Sequence, residues 1–475
     1  MVVSRRNVLT GAALAAGGVL LGSTPASASG PYLPTPESLR RHPLPDWYPR
    51  VKFGIFIHWG VYAVPAYGDP SWSSEWYLYG MNATAKGTVH EHHRSTYGAD
   101  FPYDGFIPRF TAEHYDPAEW VRLFTDSGAG YFVLTAKHHD GFQLFPNHAS
   151  GRNSVLLGPR RDLVGELFRA ARGTRLRRGL YYSLGEFYSP ALGTPPRNPY
   201  TGALVPYTGY RPVNDYVREY EHVHLRTLID RYDPDILWGD GHGSHNFGAG
   251  QIFRPPVWNW HSDEILAYYY NKAVRRGKGV LVNDRFIASH ADIDSVEGDK
   301  PGYPLRTDAW EACLTMSRSW GYMDPTYDIK TGQKLVQLLA DIVAKNGNLL
   351  LNIGPKPDGT IAAWQRDRLL AIGAWLRTNG GAIHDSKPWH RAEDGPLRYT
   401  VSDRTFNIIT FTWPAGELVV PGDLPIRDGA RIRVLGGRGE PLRWQRRGDT
   451  VAITLPAAPP PPAAEGYPAV LTVTR

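Results

Sequence analysis

Between residues 50 and 385 the chain repeats one pattern: a short run of β-branched or aromatic residues, then a longer stretch with helical spacing. A chain patterned this way folds as successive βα units with a parallel sheet. The runs are 53–57, 131–135, 179–183, 235–238, 279–282, 293–296 and 349–353. They are almost continuously apolar, as strands covered on both faces must be. One further strand is expected near 314–320, where the pattern is ambiguous. Between the runs, Tyr216, Val217, Tyr220, Leu228, Ile229 and Tyr232 approximate a helical stripe. Residues 334–346 form a clearer one, with Gly347 fitting the position just past a helix end, and 363–378 repeats the logic. Seven or eight units over roughly 340 residues suit a (β/α)8 TIM barrel. A doubly wound open sheet is the structural rival, and the absence of a Gly-rich phosphate loop after the first run speaks against it.

After Trp389 the texture changes to short strands at 399–401, 406–412, 431–435, 451–455 and 469–474, separated by Gly, Pro and Asp, which reads as a C-terminal β-sandwich. At the other end, Ser4-Arg5-Arg6 precedes an apolar run from Leu9 to Leu21 and the small-x-small triplet Ala26-Ser27-Ala28. About 13 apolar residues are too few to span a membrane, so the segment reads as a cleaved twin-arginine signal peptide. The expected organisation is therefore residues 1–28 as signal, 29–390 as barrel and 391–475 as sandwich, in a secreted or extracytoplasmic protein with no membrane association once mature. Cleavage would lower the formal charge from +6 to +4, since it removes Arg5 and Arg6 and no acidic residue. No dense Lys/Arg run accompanies that charge, so nucleic acid is not an expected partner. Cys313 is the single cysteine, which excludes an intrachain disulfide. Oligomeric state is not legible.

In a (β/α) barrel the reacting groups sit at the C-terminal ends of the strands. That rule selects His58, His138 and His139, Tyr182 and Glu186, Asp240, Asn283-Asp284-Arg285 and Glu297. Two chemistries fit such a rim. One is glycoside hydrolysis by two carboxylates, with Asp240 and Glu297 on separate strands. The other is metal-assisted hydrolysis with His58, His138, His139 and Asp240 as ligands. Adjacent residues on a strand point to opposite faces, so His138 and His139 reach one ion only if the strand has ended before them. No HExxH spacing occurs, and His90, His92 and His93 read as a solvated loop.

The segments Lys52-Phe53-Gly54-Ile55-Phe56-Ile57-His58-Trp59-Gly60, Glu75-Trp76-Tyr77, Asp116-Pro117-Ala118-Glu119-Trp120, Leu134-Thr135-Ala136-Lys137-His138-His139-Asp140-Gly141-Phe142, Trp238-Gly239-Asp240-Gly241 and Gly347-Asn348-Leu349-Leu350-Leu351-Asn352-Ile353-Gly354-Pro355 resemble, in order, those of glycoside hydrolase family 29, the α-L-fucosidases. With shorter matches the resemblance covers nearly all of residues 45–390. It implies a barrel followed by a β-sandwich and a retaining mechanism without metal or other cofactor. The substrate it implies is a terminal α-L-fucose on a fucosylated oligosaccharide or glycoconjugate.

It also places Asp240 as nucleophile, and His58, Glu75, Trp76, His138 and His139 around the sugar hydroxyls. Trp238 and Trp76 would form an apolar wall, Arg285 would lie near the anomeric centre, and one of Tyr181 and Tyr182 would face inward, Tyr182 being the candidate named. Glu297 is assigned as acid/base on spacing and strand position, with Glu186 and Glu311 as alternatives; it is expected to be buried and protonated at rest. Gly239 departs from the larger residue common in the family, a change that at most widens the floor of the site. Rival readings are a catalytically inactive fucose-binding barrel, a metal-dependent hydrolase, and a transfucosidase using the same residues. Linkage preference is assigned to loops at 185–215 and 241–262.

Overall fold

The computed structural model describes residues 30–69, 73–83, 87–187, 215–241, 260–300, 302–324, 326–437 and 439–474. Residues 1–28, read as a signal, and most of the 185–215 and 241–262 segments, to which linkage preference was assigned, lie outside the described residues.

Eight strands, with helices between most of them, make up the first part of the chain: β1 Phe53–Ile57, β2 Tyr131–Lys137, β3 Arg177–Ser183, β4 Ile236–Asp240, β5 Leu281–Val282, β6 Asp294–Glu297, β7 Trp310–Thr315 and β8 Gly347–Ile353. They form one sheet in the order β5-β4-β3-β2-β1-β8-β7-β6, every neighbouring pair parallel. A parallel bridge between Asn283 and Ile293 joins the two edge strands, so the sheet closes into a TIM-like barrel and not a doubly wound layer. The helices start where the sequence provides caps. Asp116 accepts hydrogen bonds from the Ala118 and Glu119 amides ahead of Pro117–Asp126, and Thr331 accepts from Lys334 at the start of Gly332–Ala344. Each such cap contributes about 1 kcal/mol.

Strand alternation sorts the apolar residues into two cores. Phe56, Val133, Tyr181, Trp238, Cys313 and Leu350 point into the barrel. Ile55, Ile57, Phe132, Leu134, Leu180, Tyr182, Leu237 and Leu349 point out to the helices. The strand expected near 314–320 lies earlier, at β7. Gly347 is not the residue past the helix end: Asn346 takes that left-handed position at φ 72, and Gly347 opens β8, where a Cβ would lie 2.6 Å from the Trp310 ring.

The C-terminal strands are β9 Lys387–Asp394, β10 Leu397–Ser402, β11 Thr405–Thr410, β12 Glu417–Pro421, β13 Arg431–Val434, β14 Trp444–Arg447, β15 Thr450–Thr454 and β16 Ala469–Thr474. They make a five-stranded sheet, β13-β16-β11-β10-β9, and a three-stranded sheet, β12-β15-β14, with a core of their own. The sandwich meets the barrel through helix Gly332–Ala344: Arg398 pairs with Asp341, and Lys345 pairs with Glu393 at 3.1 Å.

Candidate active site

Of the ten residues assigned to catalysis or sugar binding, nine (all but Tyr182) line one cavity of about 170 Å³ at the C-terminal ends of the barrel strands. Asp240 ends β4 with its side chain inward, two residues beyond Trp238. Its Oδ1 accepts from Arg285 Nη2 at 2.8 Å and Nε at 3.0 Å. Its Oδ2 accepts from the Tyr181 hydroxyl at 2.7 Å and lies 3.5 Å from His139 Nε2. Burial alone would raise this carboxyl's pKa; the Arg285 charge, followed by His139 and Tyr181, reverses that and holds it well below the ordinary carboxylate range. Asp240 is therefore an anion at any pH near neutrality. Arg285 in turn is held above its ordinary value, because the Asp240 and Glu297 charges outweigh its burial.

Glu297 ends β6 and receives Arg285 Nη1 at 2.7 Å. One guanidinium thus contacts both carboxylates. Glu297 is not the buried group expected: its side chain is 47% exposed against 12% for Asp240. The reason is its strand, the short closing element of the barrel, whose residues are exposed or half-buried.

The polar wall is built from strand ends. His58, following β1, has its Nδ1 2.7 Å from Asn352 Oδ1. Burial lowers its pKa to about 3 against the opposing pull of Asn352 and Asp240, so the ring is neutral. His139 Nδ1 lies 2.9 Å from the Gly185 carbonyl, which only accepts, so that nitrogen carries a proton. His138 is driven well below its ordinary value by burial and by the two neighbouring histidines. Glu75 is raised by burial, although the Ser73 hydroxyl and the Gly321 amide, the latter at 3.0 Å, donate to its Oε2. Its Oε1 and His138 Nδ1 are buried without hydrogen-bond partners among the described residues. Trp76 stands beside His139 and Phe187, and Trp238 lies under the Arg285 guanidinium at 5.2 Å.

Tyr182 does not belong to the cavity; Tyr181 does. Adjacent strand residues face opposite ways, and Tyr182 points into the helix layer, with its hydroxyl 2.9 Å from His224 Nδ1 and its ring 4.3 Å from Lys137 Nζ. Phe56, Cys313 and Trp320 also line the cavity and were not singled out. Phe56 stands two residues before His58, so the period of a strand already placed it inward. Trp320 sits on the connection after β7 and carries no such signal. Glu186 and Glu311, the alternative acids, both lie outside the cavity. Glu186 pairs with buried Lys137 at 2.9 Å. Glu311 lies below the pocket, accepting from Tyr131 at 2.6 Å, Trp238 at 2.9 Å and Tyr48 at 3.2 Å. Gly239 makes room for the Phe286 ring, 2.5 Å from where a Cβ would sit, and does not widen the pocket floor. His90 and His93 are buried on helix Thr88–Tyr97, not in a solvated loop. Among the described residues no three His, Cys, Asp or Glu converge as metal ligands.

Residues 19–381 match the family model described as alpha-L-fucosidase. The tissue alpha-L-fucosidase of Rattus norvegicus is 36% identical over 456 residues, 93% of each chain. The crystal structure of the Thermotoga maritima alpha-fucosidase is 35% identical with a TM-score of 0.76, covering 93% of this chain and 100% of that one. The same Thermotoga enzyme in complex with fucose superposes at 0.76 with 34% identity over the same shares.

Proposed function

The chain belongs to the α-L-fucosidase family of glycoside hydrolases, and on that premise we propose that it is a retaining exo-acting enzyme with Asp240 as nucleophile and Glu297 as acid/base. The observation that carries this reading is the shared guanidinium: Arg285 holds both carboxylates at one cavity, one buried and permanently charged, the other open to solvent. A carboxylate that stays ionised suits attack on the anomeric carbon. One at the mouth, in reach of water and of the departing alcohol, suits proton transfer. The cavity is closed below by Trp238 and the Glu311 layer, which fits a terminal sugar and not the middle of a chain.

In the first step Asp240 attacks C1 of the bound α-L-fucoside and the C1–O bond breaks. The leaving oxygen takes the Glu297 proton, and a β-fucosyl-enzyme remains. Glu297 then removes a proton from water, which attacks C1 as the C1–Asp240 bond breaks; the Asp240 carboxylate is released and the α configuration is restored. His58, His138, His139 and Glu75 bind the hydroxyls of a fucose at the end of a fucosylated glycan, and Trp76 and Trp238 pack its apolar faces. Proton NMR of an aryl α-L-fucoside digest tests the scheme: α-L-fucose is expected as the first anomer released. First release of β-fucose would replace double displacement with direct attack by water.

The N-terminal segment supports export by the twin-arginine route. A variant with Arg5→Lys and Arg6→Lys together is expected to stay in the cytoplasm; undiminished export would refute that route.

A further inference from the structure

Asn352, the penultimate residue of β8, is 2% exposed and does not line the cavity. Its amide lies between two groups that do. Nδ2 donates to the Trp320 carbonyl at 2.6 Å, and Oδ1 stands 2.7 Å from His58 Nδ1. A backbone carbonyl can only accept, so the amide nitrogen must face Trp320, and the amide oxygen must then face His58. An amide oxygen can only accept as well, so the proton of the neutral imidazole has to sit on Nδ1. That leaves His58 Nε2 as a bare lone pair, with no partner among the described residues, on a ring that lines the sugar cavity.

We propose that Asn352 is a positioning residue that locks His58 in the Nδ1–H tautomer, so that the pocket reads one sugar hydroxyl strictly as a hydrogen-bond donor. The inference rests on the reading that this cavity holds fucose. The charged and titratable groups facing His58 are Asp240 from β4, Arg285 beyond β5, His138 and His139 beyond β2, and Tyr181 from β3, whose ring centroid lies 5.5 Å away. Arg285 and the two histidines discourage a second proton on the ring, and Asp240 favours one. None of them touches Nδ1, so Asn352 alone decides between the two neutral tautomers. Asn352 also ties the Trp320 segment, whose neighbour Gly321 donates to Glu75, to the strand that pairs with β1. Thus one amide sets both a hydrogen-bond polarity and the seat of an aromatic wall residue.

Two measurements test this. In the wild-type enzyme, nitrogen NMR of the His58 ring, assigned by difference against His58→Gln, should show a protonated Nδ1 and a bare Nε2, unchanged between about pH 5 and 8. The opposite tautomer, or an imidazolium at neutral pH, overturns the proposal without any reference to activity. Second, inhibition constants are compared for L-fucose and its monodeoxyfluoro analogues, since fluorine cannot donate. At least one analogue should bind the wild type roughly tenfold or more weakly than fucose. In Asn352→Leu, where the ring is free to present Nε2–H, that ratio should fall several-fold even as fucose itself binds less well. An unchanged ratio reduces Asn352 to packing and refutes the inference. Wild-type turnover of an aryl fucoside is measured alongside. Its absence would instead sink the fucosidase reading, so the two failures are distinguishable.

Discussion

Asp240 and Glu297 share a cation and yet sit in different environments, and that difference predicts different responses to substitution. Asp240→Ala removes the proposed nucleophile, so kcat should fall by about three orders of magnitude or more for every substrate. Azide, small enough to occupy the vacated space, should partly restore turnover and give a β-fucosyl azide. Undiminished turnover would remove Asp240 from its role. Glu297→Ala should hurt natural glycosides far more than fucosides of acidic phenols, because a good leaving group needs little protonation. Equal losses on both would argue that Glu297 only steadies Arg285. At this scale most of the site was readable, because strand ends in a barrel converge whatever the loops do. Tyr181 against Tyr182 was not: two tyrosines in succession give alternation nothing to choose between. The exposure of Glu297 was hidden for another reason. Sequence places a residue on a strand but says little about how well a closing strand of 4 residues is covered.

The elements missed in the sequence share a physical cause. β7 reads Trp310-Glu311-Ala312-Cys313-Leu314-Thr315, with a charged residue inside the barrel and β-branching only at its last position, so it lacks the apolar run that marked its neighbours. In the sandwich the unrecognised strands β9, β12 and β14 are all edge strands. Edges carry charge and proline to discourage pairing with other chains, and that erases the alternation by which inner strands are found. The barrel's two faces also predict a separation of stability from activity. Gly347 opens β8 at the face opposite the cavity, against Trp310, whose indole donates to the Lys345 carbonyl at 2.9 Å. Gly347→Ala should destabilise by about 1–3 kcal/mol through overpacking. The melting temperature should drop while kcat at a permissive temperature stays near wild type. A large loss of kcat with unchanged melting would contradict this division between the two ends of one strand.

Across the whole molecule, buried titratable groups pull stability in opposite directions as pH changes. Burial lowers His58 to about 3 and His222 to about 4, from 6.5 in the unfolded chain. Burial also raises Glu75, Glu221 and Glu311 above their unfolded values. Below pH 6.5 the unfolded histidines bind protons that the folded ones refuse, so their contribution to stability falls as pH falls. The raised carboxyls do the reverse, since above pH 4.5 the unfolded chain loses protons that the fold retains. The acid stability of the wild type alone therefore mixes both classes, and the informative quantity is a difference between variants. His58→Gln removes one depressed histidine and leaves the carboxyls in place. Relative to wild type it should gain about 1.4 kcal/mol for each pH unit below 6.5. Any deficit it shows at pH 7.5, from losing the Asn352 contact, should shrink steadily toward pH 4.5. Asp240 does not confuse the comparison, because its stabilising charge is lost only below the ordinary carboxylate range, outside that window. Melting temperatures of both proteins across those pH values decide it: a gap that stays constant would mean that His58 takes up its proton in the folded protein as readily as in the unfolded chain, contrary to its burial in the cavity wall.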